Sequence, residues 1–138
     1  MQKRAKWLDR AIVQSPIYYT LLLDDASFRR EMRRLKVPEA EIPPFVNPGA
    51  DATTHFLIQG NTSRECAVVC IRAGQHSVEQ VHAMLVHEAV HIWQHIRRRI
   101  GEHSPSDEFE AYSLQWLAQQ LMYAYSETSK AKKTAKRR

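Results

Sequence analysis

The stretch LVHEAVHIWQH, residues 85–95, places three histidines at steps of four residues, with a glutamate directly after the first. Apolar residues recur at helical spacing on both sides of this stretch. Ser77 and Gln80 form the capping-box pattern that starts a helix, and Gly101 is a typical residue for ending one. The sequence therefore predicts one long helix from about Ser77 to Ile100, around which the rest of the chain is expected to pack.

Two of the histidines have the spacing of metal ligands. Residues four apart are neighbours on a helix face, so His87 and His91 can point two imidazoles at one zinc ion. Glu88 lies one step further round and can reach a water on that ion, which is the role of a general base in the His-Glu-x-x-His arrangement. His95 lies roughly 12 Å along the helix from His87, too far to share the ion, and is predicted to be a surface or packing histidine.

The third ligand is sought on the following helix. This helix is predicted to begin with a Ser104 cap, with Pro105 at its first position and Asp107 completing a capping box. Glu110 shares a face with three leucines, where a carboxylate is costly unless a metal compensates it.

Glu110 is therefore the preferred third ligand. Glu108 and His103 remain alternatives, although Glu108 points roughly 160° away from the face that Glu110 shares with the leucines.

The motif HEAVH, followed after eighteen residues by EAY, resembles the gluzincin zinc metallopeptidases. The resemblance implies His87, His91 and Glu110 as zinc ligands and Glu88 as the base. The longer pattern across residues 80–125 also resembles small HExxH proteins encoded by phages and prophages. It implies a minimal zincin-like metallopeptidase domain, although the chain lacks room for the second lobe of thermolysin-type enzymes.

In such an enzyme zinc lowers the pKa of its bound water, and Glu88 takes the proton and passes it to the leaving amine. Tyr112 and His103 are the catalytic candidates for stabilising the tetrahedral intermediate. Trp93 and Trp116 are predicted to lie in the core rather than to form a substrate platform.

The remaining sequence predicts two further helices and a hairpin. The stretch SPIYYTLLL, residues 15–23, is predicted to be a helix with a Ser15 cap and Pro16 at its first position. Another helix is expected from Asp24–Asp25 to Pro38, with an apolar stripe and a basic outer face.

The runs TTHFLIQ (53–59) and ECAVVCIRAG (65–74) predict a β-hairpin whose second strand is central. His55 on the first run could line the cleft, although an exposed strand histidine is favoured, and the run itself is a sheet edge that could accept an extended peptide. The expected fold is α+β and mostly helical, with a small antiparallel sheet packed on the HExxH helix.

Composition indicates a globular chain of 138 residues that forms one domain. The net charge of +5 is smaller than the six positive charges of Lys130–Arg138, so residues 1–129 carry −1. This predicts one domain over 1–129 and a basic disordered tail over 130–138 that makes at most weak contact with polyanions.

No apolar run reaches the ~20 residues needed to span a bilayer, and no secretory signal is recognised, so a cytoplasmic location without membrane contact is expected. Cys66 and Cys70 lie on one face of their strand, and buried, reduced thiols are predicted.

The expected function is zinc-dependent hydrolysis of a peptide or protein. The alternatives are a non-catalytic binding protein that keeps the HExxH helix as a structural element, and a nucleic-acid accessory protein that uses the basic tail.

Overall fold

A computed structural model describes residues 15–58 and 64–137 of the chain. Three strands and three helices follow one another, with a short 3-10 helix (Glu39–Glu41) after the first helix. In chain order they are β1 (Ile17–Leu22), α1 (Asp25–Arg34), β2 (Ala52–Ile58), β3 (Glu65–Ile71), α2 (Val78–Arg99) and α3 (Asp107–Ala135). The architecture is α+β, as predicted from the sequence.

The three strands form a mixed sheet in the order β1-β3-β2. β2 runs antiparallel to β3, with Thr54 opposite Val69, which confirms the predicted pairing of these two runs. β3 is the central strand, and its residues 67–71 are at most 1% exposed. The central position was predicted from the apolar run of this strand, because a strand covered on both faces needs apolar side chains on both.

The first strand corrects the prediction of a helix opened by Ser15 and Pro16. Residues 17–22 pair in parallel with β3 and make the sheet mixed rather than antiparallel. Ile17 and Leu21 point into the core while the exposed Tyr18 points out. Aromatic and β-branched residues suit a pleated surface, and the edge of β3 supplies hydrogen-bond partners that no local signal reveals.

Helices cover both faces of the sheet. α1 packs on one face, where Phe28 and Met32 are fully buried against Val68 and Cys70 of β3. This helix begins at Asp25, as expected from the sequence, and Asp24 caps it by accepting a hydrogen bond from the Ser27 amide at 2.7 Å. The prediction of buried thiols holds fully for Cys70, whereas Cys66 is half-buried.

The other face is covered by α2 and α3, which share one apolar core with the sheet. α2 has the predicted capping box of Ser77 and Gln80 and ends at Ile100. Most of the predicted apolar stripe is buried, namely Val81, Leu85, Ala89, Ile92 and Ile96. Its two end positions are not, because Val78 is 50% exposed and Ile100 is half-buried.

α3 begins at Asp107, two residues later than predicted, because its cap is Ser106 rather than Ser104. With this start the Phe109 ring lies edge-on to Trp93, with centroids 5.4 Å apart.

The predicted disordered tail is also corrected. α3 continues as one helix through Ala135, so residues 130–135 extend it. Lysine and alanine are good helix formers, and extending a helix needs no new nucleus. This extension contacts the start of α1 through an ion pair, in which Lys132 Nζ lies 2.9 Å from Asp24 Oδ2. Across the described ranges, no helix is both long enough and apolar enough to cross a bilayer.

Candidate metal centre

The centre of the candidate site is the imidazole pair on α2. His87 and His91 both lie on the exposed face of the helix, and their Nε2 atoms are 3.1 Å apart. The rings meet edge to face, with centroids 4.8 Å apart at 74°. Two ligands with ~2.1 Å bonds at a tetrahedral angle would have nitrogen atoms about 3.4 Å apart. The observed 3.1 Å is close to this value, and it is also the distance of a hydrogen bond between the two rings.

Glu88 lies beside the pair but points inward. It is only 4% exposed, and the hydroxyl of Thr54 on β2 donates a hydrogen bond to its Oε2 at 2.5 Å. A buried carboxylate costs free energy unless it is hydrogen-bonded, so Thr54 stabilises it in this place. The strand β2 thus fixes the orientation of the residue predicted to be the base.

A cleft brings Glu88 and His87 together. It encloses about 370 Å³ between the start of β2 and the middle of α2, and both side chains line it. Asp51 lines the same cleft, and its Oδ2 lies 3.3 Å from His76 Nε2. Because β2 is an outer strand of the sheet, this cleft lies at a sheet edge.

Glu110 lies elsewhere, which corrects the prediction that it completes the site. Its Oε2 accepts a hydrogen bond from the indole Nε1 of Trp93 at 2.8 Å, and Trp93 is 3% exposed. Trp93 follows His91 by two residues, which is about 200° around a helix, so the two side chains project from nearly opposite sides of α2. Glu110 therefore lies across α2 from the imidazole pair.

Glu110 is compensated by a different partner from the one expected. A carboxylate on the core-facing stripe does have a partner, but the partner is an indole rather than a metal. The signal that could have shown this is Trp93 itself, because a buried tryptophan N–H needs an acceptor.

The other catalytic and ligand candidates, which lie in α3 and in the connection before it, do not reach the histidine pair. Tyr112 follows Glu110 by two residues, so it points away from α2, and it is 66% exposed. Glu108 is exposed in the first turn of α3. His103 is exposed in the connection before it, where its carbonyl accepts a hydrogen bond from Arg97 at 3.3 Å. The predicted oxyanion donors are therefore not assembled here.

His95 is a packing histidine, as predicted. Its ring stacks on Phe56 of β2 with centroids 4.4 Å apart, and its Nε2 lies 3.0 Å from Oε2 of Glu65. Arg99 Nε lies 2.8 Å from the other oxygen of the same carboxylate. Glu65 therefore ties the end of α2 to β3, a role that the sequence analysis missed because the partners are thirty or more residues apart.

His55 does not line the cleft. Its ring stacks on Phe28 of α1 with centroids 4.9 Å apart, and its Nε2 lies 3.0 Å from the Phe45 carbonyl oxygen. Because side chains alternate along a strand, His55 lies on the face opposite Thr54. Trp93 is buried as predicted, whereas Trp116 is 60% exposed, so the prediction that it lies in the core is wrong.

The donor set fits zinc only in part. His87 and His91 supply two nitrogens at a suitable separation, but a catalytic zinc site needs a third protein ligand. Within residues 15–58 and 64–137, no cluster of three or more histidine, cysteine or acidic side chains is arranged to hold a metal ion. Comparison with known proteins leaves the family open, since no protein-family model, no curated protein and no solved structure matches this chain.

Proposed function

We propose that this chain is a zinc-dependent peptidase that hydrolyses a peptide or protein substrate. The observation that carries the proposal is the 3.1 Å separation of the His87 and His91 Nε2 atoms beside a cleft that Glu88 also lines. The resemblance to gluzincins and to phage-type HExxH proteins supports the same reading. The two free thiols suit the reducing cytoplasm that the proposal includes.

Glu88 is the proposed proton acceptor. One of its oxygens is held by Thr54, so the carboxylate keeps a fixed orientation at the wall of the cleft. A general base must first be held in place, and the hydrogen bond from Thr54 fixes the orientation of the Glu88 carboxylate. In the proposed reaction Glu88 takes a proton from the attacking water and returns it to the leaving amine.

The neighbouring sheet edge supports a peptide rather than a small molecule as substrate. β2 pairs with β3 on one side only in the described sheet, and its first residues line the cleft. An extended peptide can add to such an edge through main-chain hydrogen bonds. Because every peptide has the same main chain, this contact does not depend on the side chains of the substrate.

Metal analysis tests the proposal first. The purified protein is expected to hold about one zinc per chain, and His91→Ala should remove it. His95→Ala is the matched control, since this histidine packs on Phe56 and its loss should leave zinc content unchanged. Asp51→Asn tests the acidic side chain that lines the same cleft, and a loss of zinc in this variant would identify it as the third ligand.

Peptide hydrolysis tests the second part. A proteome-derived peptide library is incubated with zinc-loaded wild type and with Glu88→Gln. Glutamine keeps the shape but cannot take a proton, so zinc content should persist while hydrolysis falls by a factor on the order of 10² or more. Equal hydrolysis by both proteins would reject Glu88 as the base, and no hydrolysis by the wild type would reject the peptidase.

A second candidate is a binding protein without catalysis. It is favoured by the hydrogen bond between Trp93 and Glu110, which gives the expected third ligand a structural role. In this case neither the zinc-loaded wild type nor Glu88→Gln cleaves any peptide. A nucleic-acid accessory role would instead require DNA binding that depends strongly on salt and disappears when residues 130–138 are removed.

A further inference from the structure

An aromatic stripe lies on the outer face of α3. Tyr112, Trp116 and Tyr123 are 66%, 60% and 59% exposed, although aromatic side chains of this size are usually covered. The amide of Gln119 donates a hydrogen bond to the Tyr123 hydroxyl at 3.2 Å and joins the same stripe. The opposite face of this helix already packs on the core through Leu117 and Leu121, so α3 is apolar on two sides.

The stripe continues as a line of cations toward the end of the helix. Its positions alternate in steps of four and three residues, which is the spacing of a helix-pairing seam. The seam consists of Tyr112, Trp116, Gln119, Tyr123, Ser126, Lys130, Lys133 and, just beyond the helix, Arg137. Lys132 lies about 200° from Lys130 and pairs with Asp24, so the body holds the opposite side of the tail and the seam faces outward.

The step pattern of this seam reads the same in both directions. If a second copy is laid antiparallel along it, every seam position meets another seam position, and the aromatic half meets the cationic half. Tyr112 then faces Arg137, Trp116 faces Lys133, and Gln119 faces Lys130 of the other copy. A cation is attracted to the face of the aromatic ring that it lies over. The acidic first turn of α3 is likewise attracted to the basic end of the opposing helix.

We propose that α3 is the interface of an antiparallel homodimer, with Tyr123 and Ser126 near its two-fold axis. The same surface of both copies is used, which is the usual form of a two-fold contact. Three aromatic side chains with this exposure offer roughly 350 Å² per copy, about half of what each partner in a stable interface buries. The flanking polar residues supply the rest, so the expected association is weak and depends on the protein concentration.

The charges favour a second copy over single-stranded nucleic acid. Glu108 precedes the aromatic residues on the same face of the helix, and Glu127 lies beside the seam, 3.6 Å from Lys130. The cations begin about 10 Å beyond Tyr123. A nucleic-acid groove needs cations alongside its stacking rings, whereas this stripe has carboxylates there. Separated aromatic and cationic halves suit an inverted copy of the same helix.

Light scattering over a concentration series tests the proposal on the full chain. The wild type should pass from monomer to dimer, and Tyr112→Ser should raise the dissociation constant at least tenfold. Tyr18→Ser is the matched control, because Tyr18 is equally exposed at 67% but lies on β1 away from the seam. Far-ultraviolet circular dichroism checks that both variants keep their helices.

Disulfide trapping tests the orientation. The Gln119→Cys and Lys130→Cys proteins are oxidised in three samples, each variant alone and the two together. The wild type is oxidised in parallel to show any cross-linking through Cys66. Antiparallel pairing predicts efficient cross-linking only in the mixture. A parallel pair would place Gln119 and Lys130 about 16 Å apart along the axis and would cross-link each variant to itself, which overturns the proposal. A wild type that stays monomeric throughout the series also overturns it, whether or not the monomer binds a single-stranded oligonucleotide.

Discussion

The indole nitrogen of Trp93 donates a hydrogen bond to Glu110 at 2.8 Å, and this contact joins the two long helices. It places the carboxylate on the side of α2 that faces α3, whereas His87 and His91 lie on the exposed side beside the cleft. The same helix therefore carries a structural acid–indole contact on one side and the candidate zinc ligands on the other.

The first prediction concerns this contact. Glu110→Gln replaces a charged acceptor by a neutral one of the same shape, so the free energy of unfolding should fall by about 1 kcal/mol. Zinc content should not change. The measurements are urea unfolding and metal analysis, with the exposed Glu108→Gln as control. Loss of zinc with unchanged stability would show that Glu110 ligates the metal and that α3 sits differently when zinc is bound.

The second prediction concerns Thr54 and Glu88. Thr54→Val removes the hydroxyl that donates to the buried carboxylate, and the expected loss of stability is about 1–3 kcal/mol. The double variant with Glu88→Gln should lose less than the two single variants together, because the two side chains act on one another. Additive losses in urea unfolding would mean that the hydrogen bond contributes nothing to stability.

The third prediction concerns the pH dependence of the Asp24 cap. The hydrogen bond from the Ser27 amide, followed by the contact with Lys132, lowers the pKa of Asp24 to about 2. A carboxyl with a lowered pKa in the folded state stabilises the protein above its unfolded pKa of about 3.9, and this stabilisation is lost as the pH falls toward 2. Asp24→Ala should cost about 1 kcal/mol at pH 7, the usual value of an N-cap.

Urea unfolding at pH 7 and near pH 2 checks this prediction. The difference between wild type and Asp24→Ala should shrink at the acid end, because the protonated side chain loses its charge-assisted contacts. Asp24→Asn is the control, since asparagine also caps helices but carries no charge, and its stability should change less with pH. A difference between wild type and Asp24→Ala that is constant with pH would contradict the assignment.

The fourth prediction concerns the thiols. Burial, with smaller contributions from the carboxylates of Glu88 and Asp25, raises the pKa of Cys70 to about 12. The thiolate is the reactive form, so Cys70 should resist alkylation at pH 8 until the protein unfolds. Cys66 is half-buried and should react first, although burial raises its pKa as well. Mass spectrometry of alkylated peptides at rising urea distinguishes the two, and early labelling of Cys70 would contradict its burial.

The local elements were predictable from the sequence because their signals are short-range. The capping box at Ser77 and the cap at Asp24 involve side chains that bind backbone groups three residues away, so their effect is present before any tertiary packing. The apolar run in β3 predicted burial on both faces, and the step of four between His87 and His91 predicted two converging imidazoles. These features depend only on helix and strand periodicity.

Tertiary structure decided the features that depend on distant partners. Residues 17–22 became a strand because β3 offered a parallel edge, and Glu110 faced an indole rather than an ion because α3 packs on the Trp93 side of α2. Helical periodicity shows which residues share a face, but not which neighbour covers it. That choice is made by the burial of apolar surface across the whole chain, a sum over contacts between residues far apart in sequence.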